Sequence, residues 1–409
     1  MIREKAKKGT KGGKSRVRKV IDWLHLWLGL VSGIIVLVVA VSGCVFTFQK
    51  EINEWYYHDK MFVTPAGTPL PVTQLTRNAQ DALGADRPVS FVTTYKAPDR
   101  AWEFMTYKGN DTALTYFGAV EYYEVALVNP YTGKVTAVVD YKHNFFFIVK
   151  YLHWSLLLNT PYGQPIVGWG TFIFVILLIT GLVLWWPKKW TKASREQSFK
   201  VRWKAGFKRV NYDLHNVLGF YALSVALVLA LTGMVWSFTW FRTAVYVAAS
   251  GSITAPAKRD VKSQLQPDNS SMPVSTLDSC FAAAQRILPD ARRYYIRAAA
   301  SPEATHTIGG YKSSEQYFSA DELKFDQYNG KLLSRINDTH KNRGERLIEM
   351  NYDIHVGAIG GIWGKIVVFI VGLICASLPV TGFYVWWNKK KKSKKKIVLS
   401  NKSTVDTSL

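Results

Sequence analysis

A chain of 409 residues is too long for one compact domain, and its 48% hydrophobic and 14% aromatic content suits membrane spans joined to folded soluble segments. A formal charge of +23 would fit a nucleic-acid binder, but the excess is confined to Met1 to Lys19, Lys188 to Arg209 and Lys389 to Lys402, each abutting an apolar stretch. That is the pattern of cytoplasmic flanks facing anionic headgroups, so the basic balance reads as membrane topology, with lipid and not nucleic acid as the partner.

In chain order, a basic cytoplasmic tail (1–20) leads into a first transmembrane helix (21–48), whose apolar run is long enough to span a bilayer. The basic start and Val41-Ser-Gly-Cys44 resemble a lipoprotein signal peptide. The run is too long for a signal h-region, however, so the span is expected to be kept. Residues 49–150 follow as an outside domain. In it Thr73 to Leu83 reads as an amphipathic helix, and Glu121 to Val128 and Lys134 to Val139 read as a hairpin about Asn129-Pro-Tyr-Thr-Gly133. A His-bearing approach (151–165), a second span (166–187) and a basic cytoplasmic loop (188–210) complete the first half.

The second half repeats the plan: a third span (211–240), an outside domain (241–350), then a His-bearing approach and fourth span (351–388), with a basic cytoplasmic tail (389–409). Val274 to Ile287 reads as its amphipathic helix, and Asp326-Gln-Tyr-Asn-Gly330 echoes the first hairpin turn. Trp185-Trp186, Trp386-Trp387, Trp236 and Trp240 mark span ends, as interfacial aromatics do. The expected fold is therefore α-helical and membrane-spanning. Four transmembrane helices form two parallel repeats about an axis along the membrane normal, and each repeat carries one α+β outside domain. Cys44, Cys280 and Cys375 make no disulfide framework or thiolate metal site and are expected to pack.

The repeats carry their chemistry in histidine. His25 and His215 open the first and third spans, each followed by glycine at the same two offsets, Gly29 and Gly43 in one and Gly219 and Gly233 in the other. His153 and His355 occupy the two approaches. One imidazole buried in a span is as readily a packed core residue as a site, but matched pairs need a joint explanation. The repeat axis makes His25 and His215 mates at the cytoplasmic side, and His153 and His355 mates near the outer face. Zinc usually takes three or four protein ligands, whereas haem iron takes two axial ones, for which histidine is a common choice. Gly29 and Gly219, one turn from their histidines, leave room for a flat macrocycle; Gly43 and Gly233, roughly 27 Å from those histidines at 1.5 Å per residue, leave it for a second. Small-residue helix packing is the plain alternative for the glycines.

His58, His143, His306 and His340 fall outside the repeat and are expected to be solvated or locally bonded, His143 being the nearest to an exception. Asp213 and Asp353, two residues before proposed ligands, are expected as helix caps. Trp154 and Trp363 suit either the outer haem's surroundings or the interfacial belt. No GxGxxG turn of the nucleotide-binding type occurs in the sequence.

Leu24-His25 with Leu28-Gly29, Leu152-His153 with Thr180-Gly181 and Trp185-Trp186, Leu214-His215 with Leu218-Gly219, and Ile354-His355 with Thr381-Gly382 and Trp386-Trp387 together resemble the PepSY-associated transmembrane family over nearly the whole chain. The outside domains would then be periplasmic PepSY-like modules. The resemblance implies a bacterial inner-membrane ferrisiderophore reductase with both termini cytoplasmic. His25, His153, His215 and His355 would ligate two b-type haems, a cytoplasmic or membrane donor would supply electrons, and a ferric siderophore or other ferric chelate would accept them. Asn159-Thr-Pro161-Tyr-Gly departs from the family's glycine-richer turn and bears on the fit of the outer haem. Two other classes remain: a non-enzymatic membrane scaffold that binds a partner, and a His-lined metal transporter. The spans hold almost none of the mid-membrane acidic residues that transporters use.

Overall fold

The computed structural model describes residues 15–254, 261–264 and 276–405; residues 1–14 of the first basic flank, and residues 274 and 275 of the second amphipathic stretch, lie outside them. The helices used below are α1 (Arg16–Thr47), α2 (Val72–Leu83), α3 (Phe145–Ser155), α4 (Thr160–Trp185), α5 (Gly219–Ser237), α6 (Leu277–Ile287), α7 (Arg343–His355) and α8 (Gly361–Val405). Among the described residues four helical stretches are long and apolar enough to cross a membrane: Arg16–Thr47, Thr160–Trp185, Phe207–Ser237 and Ala358–Asn388. Helix is the natural form for such runs, because in hydrocarbon every backbone N–H and C=O must be satisfied within the segment. The third stretch is not uniform: an α-helical turn, Phe207–Asp213, passes into a π-helical one, Leu214–Leu218, before α5.

The two large polar segments supply strands β1 (Phe91–Tyr95), β2 (Trp102–Gly109), β3 (Val120–Val128) and β4 (Val135–Asp140), then β5 (Arg293–Arg297), β6 (Thr305–Tyr311), β7 (Ala320–Asp326) and β8 (Leu332–Ile336). The expected hairpin is present. Asn129 Oδ1 accepts from the N–H groups of Tyr131 and Thr132, and Gly133 takes the left-handed conformation, φ 71°, that closes the turn. Asp326 and Gly330 build the same turn between β7 and β8.

The expectation of two separate α+β domains is corrected here. All eight strands form one antiparallel sheet, ordered β4-β3-β2-β1-β5-β6-β7-β8, in which β1 and β5 pair with Thr93 opposite Tyr295. Left apart, β1 and β5 would each present an open row of N–H and C=O groups, and pairing removes both edges. One face carries the core: Leu75 and Ala79 of α2 and Phe281 and Ala284 of α6 pack on Phe104, Ile296, Ile308 and Leu323. The N-terminus of α2 is tied to α6 where the Thr73 N–H donates to Asp278, 3.0 Å. The opposite face carries a smaller apolar cluster, Ala101, Val125, Leu127 and Val139, and half-buried polar aromatics, with Tyr95 donating to Glu103 (2.6 Å) and Tyr295 donating to Glu322 (2.7 Å).

Close contacts divide the chain into two compact units. The first holds the chain up to Leu37, Gly170–Leu227 and the chain from Ile374; the second holds Val38–Trp169 and Val228–Leu373.

Candidate functional site

In the first unit, His25 of α1 lies beside His215, with ring centroids 6.3 Å apart and planes at 85°. His215 sits within the π-helical turn, a widening of the helix often found at functional sites. Asp213, fully buried, braces the start of that turn. It pairs with Arg209 at 2.8 Å and accepts from the Arg202 N–H at 3.3 Å, so it is an internal ion-pair anchor and not the helix cap expected of it. His25 Nδ1 meets Thr180 Oγ1 and His215 Nδ1 meets Thr381 Oγ1, each at 2.9 Å. Both hydroxyls already donate to carbonyls one turn back, Thr180 to Ile176 (2.8 Å) and Thr381 to Ser377 (2.9 Å). They therefore accept from the imidazoles, and each Nδ1 carries the proton. The next residue in each case is glycine for want of space: a Cβ at Gly181 would stand 3.3 Å from His25 Cε1, and one at Gly382 would stand 3.2 Å from His215 Cε1. A cavity of about 570 Å³ opens around the two rings, with Gly29 and Gly219 in its lining. That is within the usual size of a cofactor site, roughly 300–1,000 Å³.

In the second unit, His153 of α3 lies 6.0 Å from His355 of α7, ring planes at 66°. His153 Nδ1 is 2.8 Å from the Val39 carbonyl, which can only accept, so this proton too is on Nδ1. His355 Nδ1 meets Thr232 Oγ1 at 2.8 Å, and that hydroxyl donates to Val228, 2.8 Å. Thr232 stands at the position in its span that Ser42 holds in the first. Ser42 spends its hydroxyl on the Val38 carbonyl, 2.7 Å, and His153 takes the backbone instead. Trp236 lies edge-on to His355 at 5.2 Å. Asp353, expected as a cap, is fully buried and accepts from the N–H groups of Tyr317 (2.9 Å) and Phe318 (3.0 Å), fixing that loop to α7.

The same tautomer recurs in all four residues: Nδ1–H donates, and among the described residues no hydrogen bond reaches Nε2. An Nε2 lone pair so oriented is the usual metal-binding state of histidine, with the other nitrogen fixed by a hydrogen bond. Two imidazoles on opposite sides of one metal, at about 2.0 Å per bond and with each ring centre about 1.1 Å behind its nitrogen, stand roughly 6.2 Å apart centre to centre. Both pairs have that spacing. No cluster of three or more His, Cys, Asp or Glu suited to a metal occurs among the described residues. Each pair thus has two imidazoles that would fit the two-histidine ligation of a haem iron.

The glycines divide. Gly29 and Gly219 border the first cavity, whereas Gly43 makes room for an imidazole: a Cβ there would stand 3.0 Å from His153 Cε1. Gly233 is the neighbour of Thr232 on α5 and its carbonyl accepts from Ser237, 3.4 Å. The roles of Thr180, Thr381, Thr232 and the Val39 carbonyl escaped the sequence reading, although the recurrent Thr-Gly step in three spans was their signal. His143 is exposed and bonds Asp140 at 2.7 Å. His58 is exposed beside Asp59, His340 is exposed, and buried His306 accepts the Ala299 N–H at 3.0 Å. Trp154 donates to Thr160, 3.3 Å, and Trp363 is largely exposed.

No curated protein matches the chain. Residues 23–389 match the model of the PepSY-associated TM region. That stretch includes all four spans' apolar cores, both histidine pairs and the whole sheet, and the chain therefore belongs to the PepSY-associated transmembrane family.

Proposed function

We propose that this protein is a di-haem b electron carrier of the bacterial inner membrane that reduces ferric iron, as ferric siderophore or a similar chelate, at the periplasmic side. The observation that carries the reading is the shared tautomer and spacing of the two histidine pairs. His25 with His215 would hold one b-type haem and His153 with His355 the other. Bound haem supplies one-electron ferric/ferrous chemistry at each pair. The chain's part is to fix Nε2 toward the metal through the Nδ1–H bonds, to keep the site dry, and to present the second pair in the unit that carries the sheet. One electron from a cytoplasmic or membrane donor converts one ferric ion to ferrous, which hard oxygen ligands hold less tightly, and iron is released for uptake. The basic runs support a cytoplasmic side for both termini and the loop 188–210 under the positive-inside rule. The protein purified in detergent is expected to yield two pyridine-haemochromogen equivalents per chain with a low-spin spectrum. A folded, colourless protein would sink the reading and favour a partner-binding scaffold.

The threonines give a second test. Thr180→Val removes the acceptor of His25 Nδ1–H, and Thr381→Val that of His215. Outer partners of metal-bound histidine are typically worth about 10- to 100-fold in affinity. Haem at the first pair should be released that much more readily to apomyoglobin, while haem at the second pair keeps its wild-type rate.

A further inference from the structure

Two cations in the second unit, one buried and one half-buried, make no salt bridge among the described residues. Arg293 of β5 is 7% exposed and lies cross-strand between Tyr95 and Tyr311. Its guanidinium is 4.4 Å from the ring centres of both Tyr311 and Tyr317, and its buried Nη2 has no hydrogen-bond partner. Lys150 of α3, half-buried, has its ammonium 4.6 Å from the Phe147 ring and 5.1 Å from the Tyr151 ring. Burial pushes Lys150 down to about 8. Among the described residues no carboxylate pairs with either. The acids nearby spend their oxygens on other donors, Glu103 and Glu322 on Tyr95 and Tyr295 and Asp353 on two backbone N–H groups, so Asp353 acts on Arg293 only as a nearby charge.

Both cations lead to the second histidine pair. Lys150 is one turn before His153 on the same helix, and residues three apart share a face. Arg293 reaches the other helix through rings: Tyr317 is 5.3 Å from Tyr352, which is one turn before His355, and Trp236 touches both Tyr352 and His355. Phe147 stacks on Tyr141 at 4.3 Å, and Tyr141 has its phenol held well above the ordinary range by burial first and then by Glu103, Tyr123 and Tyr317 beside it.

Isolated buried charge is costly, and it is found paired or neutralised. Two such cations, Lys150 on the helix of His153 and Arg293 joined through rings to the helix of His355, ask for two anions. A b-type haem carries two carboxylates on one edge. We propose that Lys150 and Arg293 bind the propionate carboxylates of the haem held by His153 and His355. This rests on the di-haem reading above. An anionic ferric chelate offers the same oxygen-anion chemistry, and the experiment separates the two.

Full-length protein stripped of haem is reconstituted with protohaem or with its dimethyl ester, in which both carboxylates are masked. Wild type is expected to hold protohaem at the second pair more tightly than the diester. Lys150→Met and Arg293→Met should each weaken protohaem there by about 10- to 100-fold, the usual worth of a hydrogen bond to a charged group. They should leave diester affinity unchanged and lower the midpoint potential of whatever second haem is retained, since nearby cations favour the reduced, more negative state. Haem at the first pair reports that the chain is folded. Should Arg293→Met fail to fold, Arg293→Lys keeps the charge and should restore protohaem binding toward wild type. Variants with wild-type protohaem affinity and potential overturn the assignment. So do variants that keep haem but lose binding of the redox-inert gallium(III) citrate complex, because the cations then serve the acceptor. If neither protohaem nor diester binds at either pair, the di-haem reading itself fails and the proposal falls with it.

Discussion

His25→Ala and His215→Ala are expected to lose the same haem, and His153→Ala and His355→Ala the other one. The pairing follows from spacing. Centroids 6.3 Å and 6.0 Å apart within each pair match two imidazoles on one iron. His25 makes its hydrogen bond to α4 and His215 to α8, so neither depends on the second pair for its orientation. Alanine at either position would remove one of the two histidines proposed to hold that haem and leave a hole where an imidazole packed against glycine. The expected outcome is a fall from two haems to one per chain, with the survivor still low-spin and with an identical spectrum in the His25 and His215 variants. Electron paramagnetic resonance and haemochromogen titration on the four purified variants make the check. If the His25 and His215 variants lost spectroscopically different haems, the site assignment would be wrong.

How far this was legible in the sequence depends on what sets each feature. Spans are set by local apolar runs, and the four positions were readable, the ends differing by a few residues where amphipathic turns extend the helix. The hairpin turns were readable because Asn129-Gly133 and Asp326-Gly330 act locally, through a side-chain acceptor and a left-handed glycine. Fusion of the two segments through β1 and β5 was not. Alternation tells which face of Phe91–Tyr95 is buried, as Val92 and Thr94 are, but it carries no information on which strand comes alongside. The π-helical turn at His215 was hidden for a related reason. His25 and His215 share the preceding leucine and the Leu-Gly three and four residues on, but His215 has Asp213 where His25 has Trp23, and the hold of Arg209 and the Arg202 backbone on that carboxylate does not show in the repeat pattern. The glycine assignments mixed two causes. Gly29 and Gly219 do border a cavity, whereas Gly43, Gly181 and Gly382 are glycine because an imidazole from another helix lies on them. A sequence shows the missing side chain but not what fills the space.

Loss of His355 is expected to abolish electron delivery to an external ferric chelate even when the first haem stays intact and reducible. The second pair shares its unit with the sheet, and the helix that carries His355 is tied to the sheet side by Asp353 and the Tyr317 loop. The first pair lies in the other unit, among the ends of the spans that adjoin the basic loop. If electrons leave only where the sheet is, reoxidation by a periplasmic chelate must pass through His153 and His355. The decisive measurement is single-turnover. Each variant is reduced anaerobically, excess reductant is removed, and ferric chelate is added in a stopped-flow cell with a ferrous chelator present. Wild type should reoxidise both haems and release two ferrous ions per chain. The His25→Ala protein, retaining the second haem, should reoxidise it at close to the wild-type rate and release one. The His355→Ala protein, retaining the first, should stay reduced, with ferrous release no faster than the protein-free background. In proteoliposomes with the donor enclosed, both variants should fail, because the chain of transfer is broken at its start in one and at its exit in the other. Rapid reoxidation of the first haem in the His355 variant would place the exit elsewhere and reverse the order of transfer proposed for the two pairs.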